Sequence, residues 1–397
     1  MVFMTRSKSP PSHAPRGFTL VELLVGAATT SIILFAVAFS VLAVQGSYQA
    51  ESRVKVAVEG ARTAATFIEQ RLRMAGYGVD PRFAFDFDAT LAPKANQVLA
   101  FAPGVPQSVT DDLAFRYRDP SWLRRGFYTA ADGLQLQGGD TFGVDFPESQ
   151  RFLVSCRGGR DYVVLRVSAG GLQSDTISSK NFAVDARLSS VGADAGCLSW
   201  TGTDAPYIML LHELRVRIMD LDGRPFLMAF DRLDTLDLAN AVPLAADVES
   251  FQVAYVMNRP LPNSVHATVL PPVDASSDPS NWVLGDVGSD DSERFPDPDV
   301  TPAPVYGTAY DDATRYNQHP ANIRAVRLSI SVRSTRAESN GRRAFERVDL
   351  EDSNEAVEAD GYYRTNMTLT VRVPNMLSRS AFIPEVGDEP TDISWGG

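Results

Sequence analysis

The chain contains little of what enzyme active sites and metal centres need. Its 397 residues include two cysteines and four histidines, and the sequence has no G-x-S-x-G, H-E-x-x-H or P-loop pattern. His13 lies near the N-terminus, His266 and His319 lie in a proline-rich stretch, and His212 lies on a predicted strand. The sequence therefore predicts neither an enzyme nor a bound cofactor.

Basic residues are also in short supply. The chain has 37 lysines and arginines against 49 aspartates and glutamates, which gives a formal net charge of −12. Proteins that bind nucleic acid through electrostatics need basic patches, so we expect no nucleic-acid partner. A negative net charge suits a domain that stays soluble outside the cytoplasm.

The two cysteines, Cys156 and Cys197, allow one disulfide at most. If the body is exported, its compartment permits such a bond. Closing a loop of about 40 residues would stabilise the fold by roughly 3–4 kcal/mol in the chain-entropy model. Two separate buried thiols are the alternative. Metal binding is disfavoured, because no CxxC or nearby histidine cluster accompanies the pair.

The N-terminal region lacks charge over an unusual length. No Asp, Glu, Lys or Arg occurs from Leu23 to Ala50, a stretch longer than the roughly 20 apolar residues that cross a bilayer as a helix. One carboxylate, Glu22, stands at its start. An ionisable group in lipid costs roughly 2.5–3.5 kcal/mol even on the lenient insertion scale. We therefore expect Glu22 to be functional and to have a partner.

The run Arg16-Gly17-Phe18-Thr19-Leu20-Val21-Glu22 and the apolar stretch after it resemble the class III signal of type IV pilins and pseudopilins. The resemblance implies that a prepilin peptidase cuts between Gly17 and Phe18 and that Phe18 is then N-methylated. It also implies that Glu22 directs assembly by pairing with the N-terminal amine of a neighbouring subunit, which sets the axial register between helices.

Two other interpretations of this segment are open. One is an ordinary secretory signal peptide, with Ala36-Val37-Ala38 as its cleavage site. The other is an uncleaved single-pass anchor whose basic end lies in the cytoplasm. Neither accounts for Gly17 beside Phe18 with Glu22 four residues further on.

No proline interrupts residues 16–80, so a helix is permitted from Phe18 to about Met74. Its second half carries an apolar stripe at spacings of three and four residues, made of Val54, Val58, Ala61, Ala65, Ile68 and Leu72. The stripe is shorter than the three to four heptads that indicate a coiled coil, so we favour packing against a sheet of the same chain. Gly76 and Gly78 are expected to end the helix.

The rest of the chain is predicted to be mostly β-structure. The predicted strands are Val98–Ala102, Leu113–Tyr117, Gly133–Gln137, Phe152–Ser155, Tyr162–Ser168, Tyr207–Asp220, Pro225–Asp231, Val248–Met257, Ile323–Ser334 and Met367–Val373. Several alternate apolar and polar residues, which indicates an antiparallel sheet with one buried and one wet face. Asp222-Gly223 predicts a hairpin turn. The predicted fold class is α+β, with a long helix, transmembrane and then amphipathic, packed on an antiparallel sheet.

Residues 259–321 break this pattern, since they are rich in proline, aspartate and serine and have little periodicity. We interpret them as an irregular insertion. Its acidic residues, Asp286, Asp290, Asp291, Glu293, Asp297 and Asp299, could bind Ca²⁺ through carboxylate oxygens, but their spacing does not match an EF-hand. A solvated acidic loop without metal is the favoured interpretation.

The end of the predicted helix, Leu72-Arg73-Met74-Ala75-Gly76-Tyr77, is similar to the corresponding segment of the PilW-type minor pilins, in which an LR-x-AGY pattern is common. That family implies a subunit that joins other minor pilins and the major pilin through its helix, primes pilus assembly and lies at the tip with an adhesin. It implies roles in twitching motility and adhesion. Before assembly the helix would cross the inner membrane once, with the body in the periplasm.

The resemblance divides the chain into a leader (1–17), a transmembrane and filament-core helix (18–50), an amphipathic half-helix (51–78), a periplasmic β-rich domain (79–377) and a loose tail (378–397). Two rival functions remain. A J-type pseudopilin of type II secretion has the same signal but is usually much shorter. A membrane-anchored extracytoplasmic binding domain would form no filament.

Overall fold

The structure is a computed structural model, and it describes residues 18–86, 97–99, 108–156, 161–233, 238, 241–257, 283–284, 322–335, 350–351 and 362–377. The chain divides into two compact units, Met1–Arg53 and Val54–Gly397. Gly17, the tail 378–397 and the insertion 259–321, apart from Val283–Leu284, lie outside the described residues. The predictions made for them, including the calcium candidates, therefore stay predictions.

One long helix, α1, runs from Leu20 to Leu72. Within the second unit it buries one stripe, formed by Ala57, Ala61, Ala64, Ala65, Ile68 and Leu72. These side chains share a single apolar core with strand residues such as Leu214, Phe251 and Val326. The predicted packing of the amphipathic stripe on a sheet of the same chain is confirmed, although Val54 and Val58 are only half-buried.

The helix ends where the two glycines were expected to end it. The backbone of Gly76 has a φ of 78° and that of Gly78 a φ of 63°, the left-handed region that glycine enters at little cost. The amide of Gly76 then donates to the carbonyl oxygen of Arg116 at 3.0 Å. The chain thus leaves the helix and attaches at once to the first long strand of the body.

We expect Gly76→Ala to lower the free energy of unfolding by about 1–3 kcal/mol, because a Cβ would add strain at positive φ. It would also stand 2.7 Å from Sδ of Met376. Gly138→Ala is the matched control, since Gly138 has a φ of 74° and a Cβ there would meet nothing within 4 Å. Urea denaturation of both variants measures the difference. Equal losses would show that the Met376 contact contributes nothing.

Two sheets form most of the body. The first has the strand order β7-β4-β3-β9-β5-β6-β8, with β10 on β9 and β11 on β10. Its members are β3 (Leu113–Thr129), β4 (Gly133–Leu136), β5 (Arg151–Ser155), β6 (Tyr162–Val167), β7 (Ser178–Ser179), β8 (Phe182–Val184), β9 (Tyr207–Leu221), β10 (Arg224–Phe230) and β11 (Ala241–Ala246). The pairs are antiparallel.

The second sheet has the order β13-β12-β14-β15, with β12 (Val248–Met257), β13 (Val283–Leu284), β14 (Ile323–Arg333) and β15 (Arg364–Arg372). A separate pair consists of β1 (Gln97–Leu99) and β2 (Ser108–Thr110). The other helical elements in the described part of the chain are α2 (Pro81–Ala84) and the short 3₁₀ turns Gly196–Ser199, Gly202–Asp204 and Pro374–Leu377. The α+β class with antiparallel sheets is therefore confirmed.

The hairpin between β9 and β10 has the predicted two-residue turn. Asp222 has a φ of 55° and Gly223 a φ of 80°, as a type I′ turn requires. The carboxylate of Asp220 accepts a hydrogen bond from the amide of Gly223 at 2.7 Å. Asp222 thus lies in the turn, as predicted, and Asp220 stabilises that turn.

The third strand was predicted too short. A strand was expected to end at Tyr117, but β3 continues to Thr129, with a shift in its pairing to β9 between Arg118 and Leu123. There Asp119 accepts hydrogen bonds from the amide and hydroxyl of Ser121. This local turn lets Pro120 lie within the strand without a ladder hydrogen bond. The bulge brings Trp122 into a second core that is rich in phenylalanine.

Candidate functional site: the N-terminal assembly segment

The first turn of α1 is closed by a reciprocal pair of side chains. Oε2 of Glu22 accepts hydrogen bonds from the amide of Thr19 at 3.0 Å and from its hydroxyl at 2.9 Å. The Thr19 hydroxyl in turn accepts the amide hydrogen of Glu22 at 3.3 Å. This is a capping box. Thr19 was missed as a functional residue, although the T-x-x-E spacing of the capping box stands in the sequence.

The arrangement leaves half of the carboxylate available. Both hydrogen bonds that Glu22 accepts end on Oε2, and Oε1 accepts none from the residues that the structure describes. Phe18, just before the cap, is 86% exposed. The carboxylate can therefore keep its own cap and still receive a cation through Oε1. Gly17 lies outside the described residues, so the cleavage and methylation sites stay predictions.

The helix beyond Glu22 is suited to lipid. Residues Leu20–Gln45 form a helical segment long and apolar enough to cross a membrane. Its hydroxyl side chains donate to backbone carbonyl oxygens of the preceding turn: Thr29 to Val25, Thr30 to Gly26, Ser31 to Ala27 and Ser40 to Ala36. Each of these hydroxyl groups therefore has a hydrogen-bond acceptor within its own helix and needs none from lipid. Glu22 is the one charged residue of this segment.

The segment just after α1 forms hydrogen bonds with β3 of the first sheet and with the turn that follows β15 of the second sheet. Nδ2 of Asn375 donates to the carbonyl oxygen of Arg73 at 3.0 Å, just after β15. Nη2 of Arg118 donates to the hydroxyl of Tyr77 at 2.7 Å, and its guanidinium lies 4.8 Å from the centre of that ring. Together with the apolar stripe, these contacts hold the second half of α1 and the sheets as one compact unit.

A buried ionic cluster lies in the first sheet beneath this junction. Nε of Arg116 donates to Glu213 at 2.7 Å, and its other nitrogens donate to Asp86 and to the carbonyl oxygen of Phe83. Arg151 bridges the same glutamate to Asp185. Burial would lower the pKa of Arg116, but the carboxylates of Asp86 and Glu213 outweigh it and raise that pKa. The guanidinium is therefore charged at every physiological pH.

This cluster corrects one prediction. The alternating strands were predicted to have one buried and one wet face, yet Glu213, Arg215 and Arg217 at alternate positions of β9 are all buried. Nη2 of Arg215 donates to Asp112 at 2.5 Å, so the charged face is covered by opposite charges. Polar residues at alternate positions of a strand show that one face of it is polar. They do not show whether that face is exposed to water.

The remaining candidate residues give no catalytic or metal site in the described part of the chain. Cys156 and Cys197 form a disulfide, with Cα atoms 5.7 Å apart. His212 pairs with Asp119 at 3.1 Å on β9. Among the described residues, no group of three or more His, Cys, Asp and Glu is placed to hold a metal ion. A cavity near Tyr162 has about 10 Å³, room for at most about one water.

Comparison with known proteins gives one match. Comparison with curated proteins and with solved structures found no significant match. Residues 219–375, less than half of the chain, match the family model of the type IV pilus-assembly protein W, PilW. The match begins near the end of β9 and extends through β15, so it does not include the helix end Leu72–Tyr77, whose sequence is similar to that of the same family. Two separate parts of the sequence therefore resemble the same family, which supports a PilW-type protein of type IV pilus assembly.

Proposed function

We propose that this PilW-type protein is a minor pilin that primes pilus assembly and forms part of the tip complex, with roles in twitching motility and adhesion. The observation that carries the proposal is the carboxylate of Glu22, held by Thr19 through one oxygen at the start of a membrane-length helix. A capped carboxylate with one free oxygen serves both the subunit stored in the membrane and the subunit assembled in a filament.

The stored subunit would lie in the inner membrane with its body in the periplasm. In lipid, an unpaired carboxylate is costly, and the two hydrogen bonds from Thr19 offset part of that cost. After prepilin peptidase cleaves at Gly17, Phe18 begins the chain and carries a positive amine. The amine of one subunit and Oε1 of Glu22 in the next can then pair where water is excluded and the attraction is strong.

The pairing of the amine with Glu22 also indicates which proteins would bind this chain. Like helices present the same amine and carboxylate, so other minor pilins and the major pilin would bind through the N-terminal helix. The exposed apolar residues from Leu20 to Val44 would then lie against neighbouring helices in place of lipid. A tip adhesin would bind the body.

Intact-mass measurement and N-terminal sequencing of protein from native membranes and from sheared pili test this proposal. We expect a chain that begins at N-methylated Phe18 and is present in both fractions. A start after Ala38 would identify an exported soluble protein, and an intact N-terminus would identify a simple anchor. Either result would contradict the assembly mechanism.

A deletion strain separates the pilus from the secretion role. We expect loss of the gene to reduce surface pili and twitching and to leave type II secretion intact. Reduced secretion with normal pili would favour the J-type pseudopilin instead. Immunogold labelling then tests the position, for which we expect label at filament ends and little along the shaft.

A further inference from the structure

The edge of the second sheet is formed by a regular strand. β15 has nine residues and pairs with β14 without a register shift from Arg364 to Arg372. Among the described residues, β14 is the strand that pairs with it. Proteins commonly protect an edge with lysine, proline, a bulge or a very short strand. β15 contains no lysine or proline, is regular and is long, and its two charged residues, Arg364 and Arg372, stand only at its ends, so the edge between them carries none of these protections.

The hydrogen-bond pattern identifies which backbone groups face outward. The amide of Val373 donates to the carbonyl oxygen of Arg324 at 3.1 Å, and the amide of Ser334 donates to that of Tyr363 at 2.7 Å. Because bonding alternates along an antiparallel pair, the odd-numbered residues of β15 face β14. The N–H and C=O groups of Asn366, Thr368 and Thr370 therefore face the outer edge.

The core side of the strand is also incomplete. Val371 is buried, whereas Met367 and Leu369 are only partly buried although they pack against the main apolar core. A further strand on this edge would cover the exposed part of both side chains. The edge thus offers backbone hydrogen bonds and apolar surface together, which is the combination used when a peptide extends a sheet.

The charge of β15 indicates which kind of segment could bind at its edge. In this acidic chain, β15 and the residues after it as far as Leu377 contain no Asp or Glu, and the strand begins at Arg364 and ends at Arg372. Arg364 is bound to Glu249 at 2.6 Å, whereas Arg372 is exposed on the solvent face. Two antiparallel β15 strands would bring arginines opposite one another, which is unfavourable, so a second copy fits poorly. We propose that β15 is a docking edge for an extended acidic segment of another protein, which adds to the sheet as a further strand.

A synthetic peptide tests this edge on the full chain in detergent micelles. The probe is a fluorescent peptide of alternating valine and glutamate, about seven residues long, the length of a typical strand. A peptide of alternating valine and lysine is the charge control. We expect fluorescence anisotropy to show the acidic peptide binding at least about tenfold more tightly than the basic one. No binding of the acidic peptide at about 1 mM, or equal binding of the two, would overturn the proposal.

Two substitutions at one position distinguish pairing through the backbone from nonspecific binding of the peptide. Thr370→Pro removes an outward N–H without removing a bond to β14, and Thr370→Val keeps that N–H. We expect the proline variant to bind the acidic peptide at least about tenfold more weakly and the valine variant to bind like the wild type. Arg372→Glu should also weaken binding. Equal affinity of the proline and valine variants would overturn the edge as the site.

Amide hydrogen exchange gives a readout that needs no variant. On adding the acidic peptide to the wild-type protein, we expect the amides of Asn366, Thr368, Thr370 and Arg372 to become protected. Those of Met367 and Leu369 are already bonded to β14 and should change little. Protection spread evenly over both sets, or none at the even-numbered residues, would contradict strand addition.

Discussion

Replacing Glu22 by glutamine should remove the protein from pili while leaving its amount in the membrane unchanged. Glutamine can take the place of glutamate in a capping box, so the two hydrogen bonds from Thr19 can be kept. Only the negative charge is lost. Leaving one member of a buried ion pair without its partner costs about 3–5 kcal/mol, so incorporation should fall more than about a hundredfold. Immunoblots of sheared pili and of membranes measure the two amounts.

Two further variants make this result specific. Thr19→Val removes the cap hydroxyl but keeps the charge of Glu22, and we expect it to reduce incorporation much less than Glu22→Gln. Ser40→Ala removes a hydroxyl that bonds only within its own helix, to Ala36, and should have no effect. If Glu22→Gln enters pili normally, the carboxylate does not direct assembly. The anchored-domain interpretation would then be favoured.

Residues near each other in the sequence account for most of what could be predicted. The helix stripe, the Asp222-Gly223 turn and the helix end at Gly76 depend on periodicity or on one turn of backbone, and the structure contains all three. The N-terminal signal is equally local. Each of these features is decided within a few residues, so a single sequence is enough to find it.

What the sequence missed depends on distant partners. The face of β9 that carries Glu213 and Arg215 is buried because Arg116, Arg151 and Asp112 arrive from other strands. The strand β3 was predicted to end at Tyr117, because the bulge that lets it continue past Pro120 depends on pairing with β9. Short strands such as β7 and β13 have too few residues to show a pattern. In each case tertiary contacts override the local signal.

The capping box is a different kind of omission. Its T-x-x-E spacing is local, but a carboxylate in an apolar segment was interpreted only through a partner on a neighbouring subunit. The structure adds a partner within the same helix turn. Glu22 can therefore cap its own helix through Oε2 and, in the proposed assembly role, receive a cation through Oε1.

Removing the carboxylate of Glu213 should be the most damaging single change in the body. Glu213 accepts hydrogen bonds from two buried guanidinium groups, those of Arg116 and Arg151, and the side chains of all three are at least nine-tenths buried. We expect Glu213→Ala to lower the free energy of unfolding by about 3–5 kcal/mol, because it leaves two cations short of a partner. Urea denaturation of the full chain in detergent, followed by tryptophan fluorescence, measures the loss. Asp132→Ala is the control, since its pair with Lys180 is mostly exposed and 4.0 Å apart, and it should cost under about 0.5 kcal/mol.

The two main variants should fail at different steps, which allows each to check the other. A loss of about 3–5 kcal/mol is a large part of the stability of an ordinary domain, so Glu213→Ala should be scarce in the membrane as well as in pili because cells degrade unfolded protein. Glu22→Gln should be abundant in the membrane and missing only from pili. If Glu213→Ala is abundant and assembles normally, the cluster does not hold the body together. If both variants are scarce in the membrane, Glu22 also stabilises the stored subunit, and its effect on pili cannot be assigned to filament pairing alone.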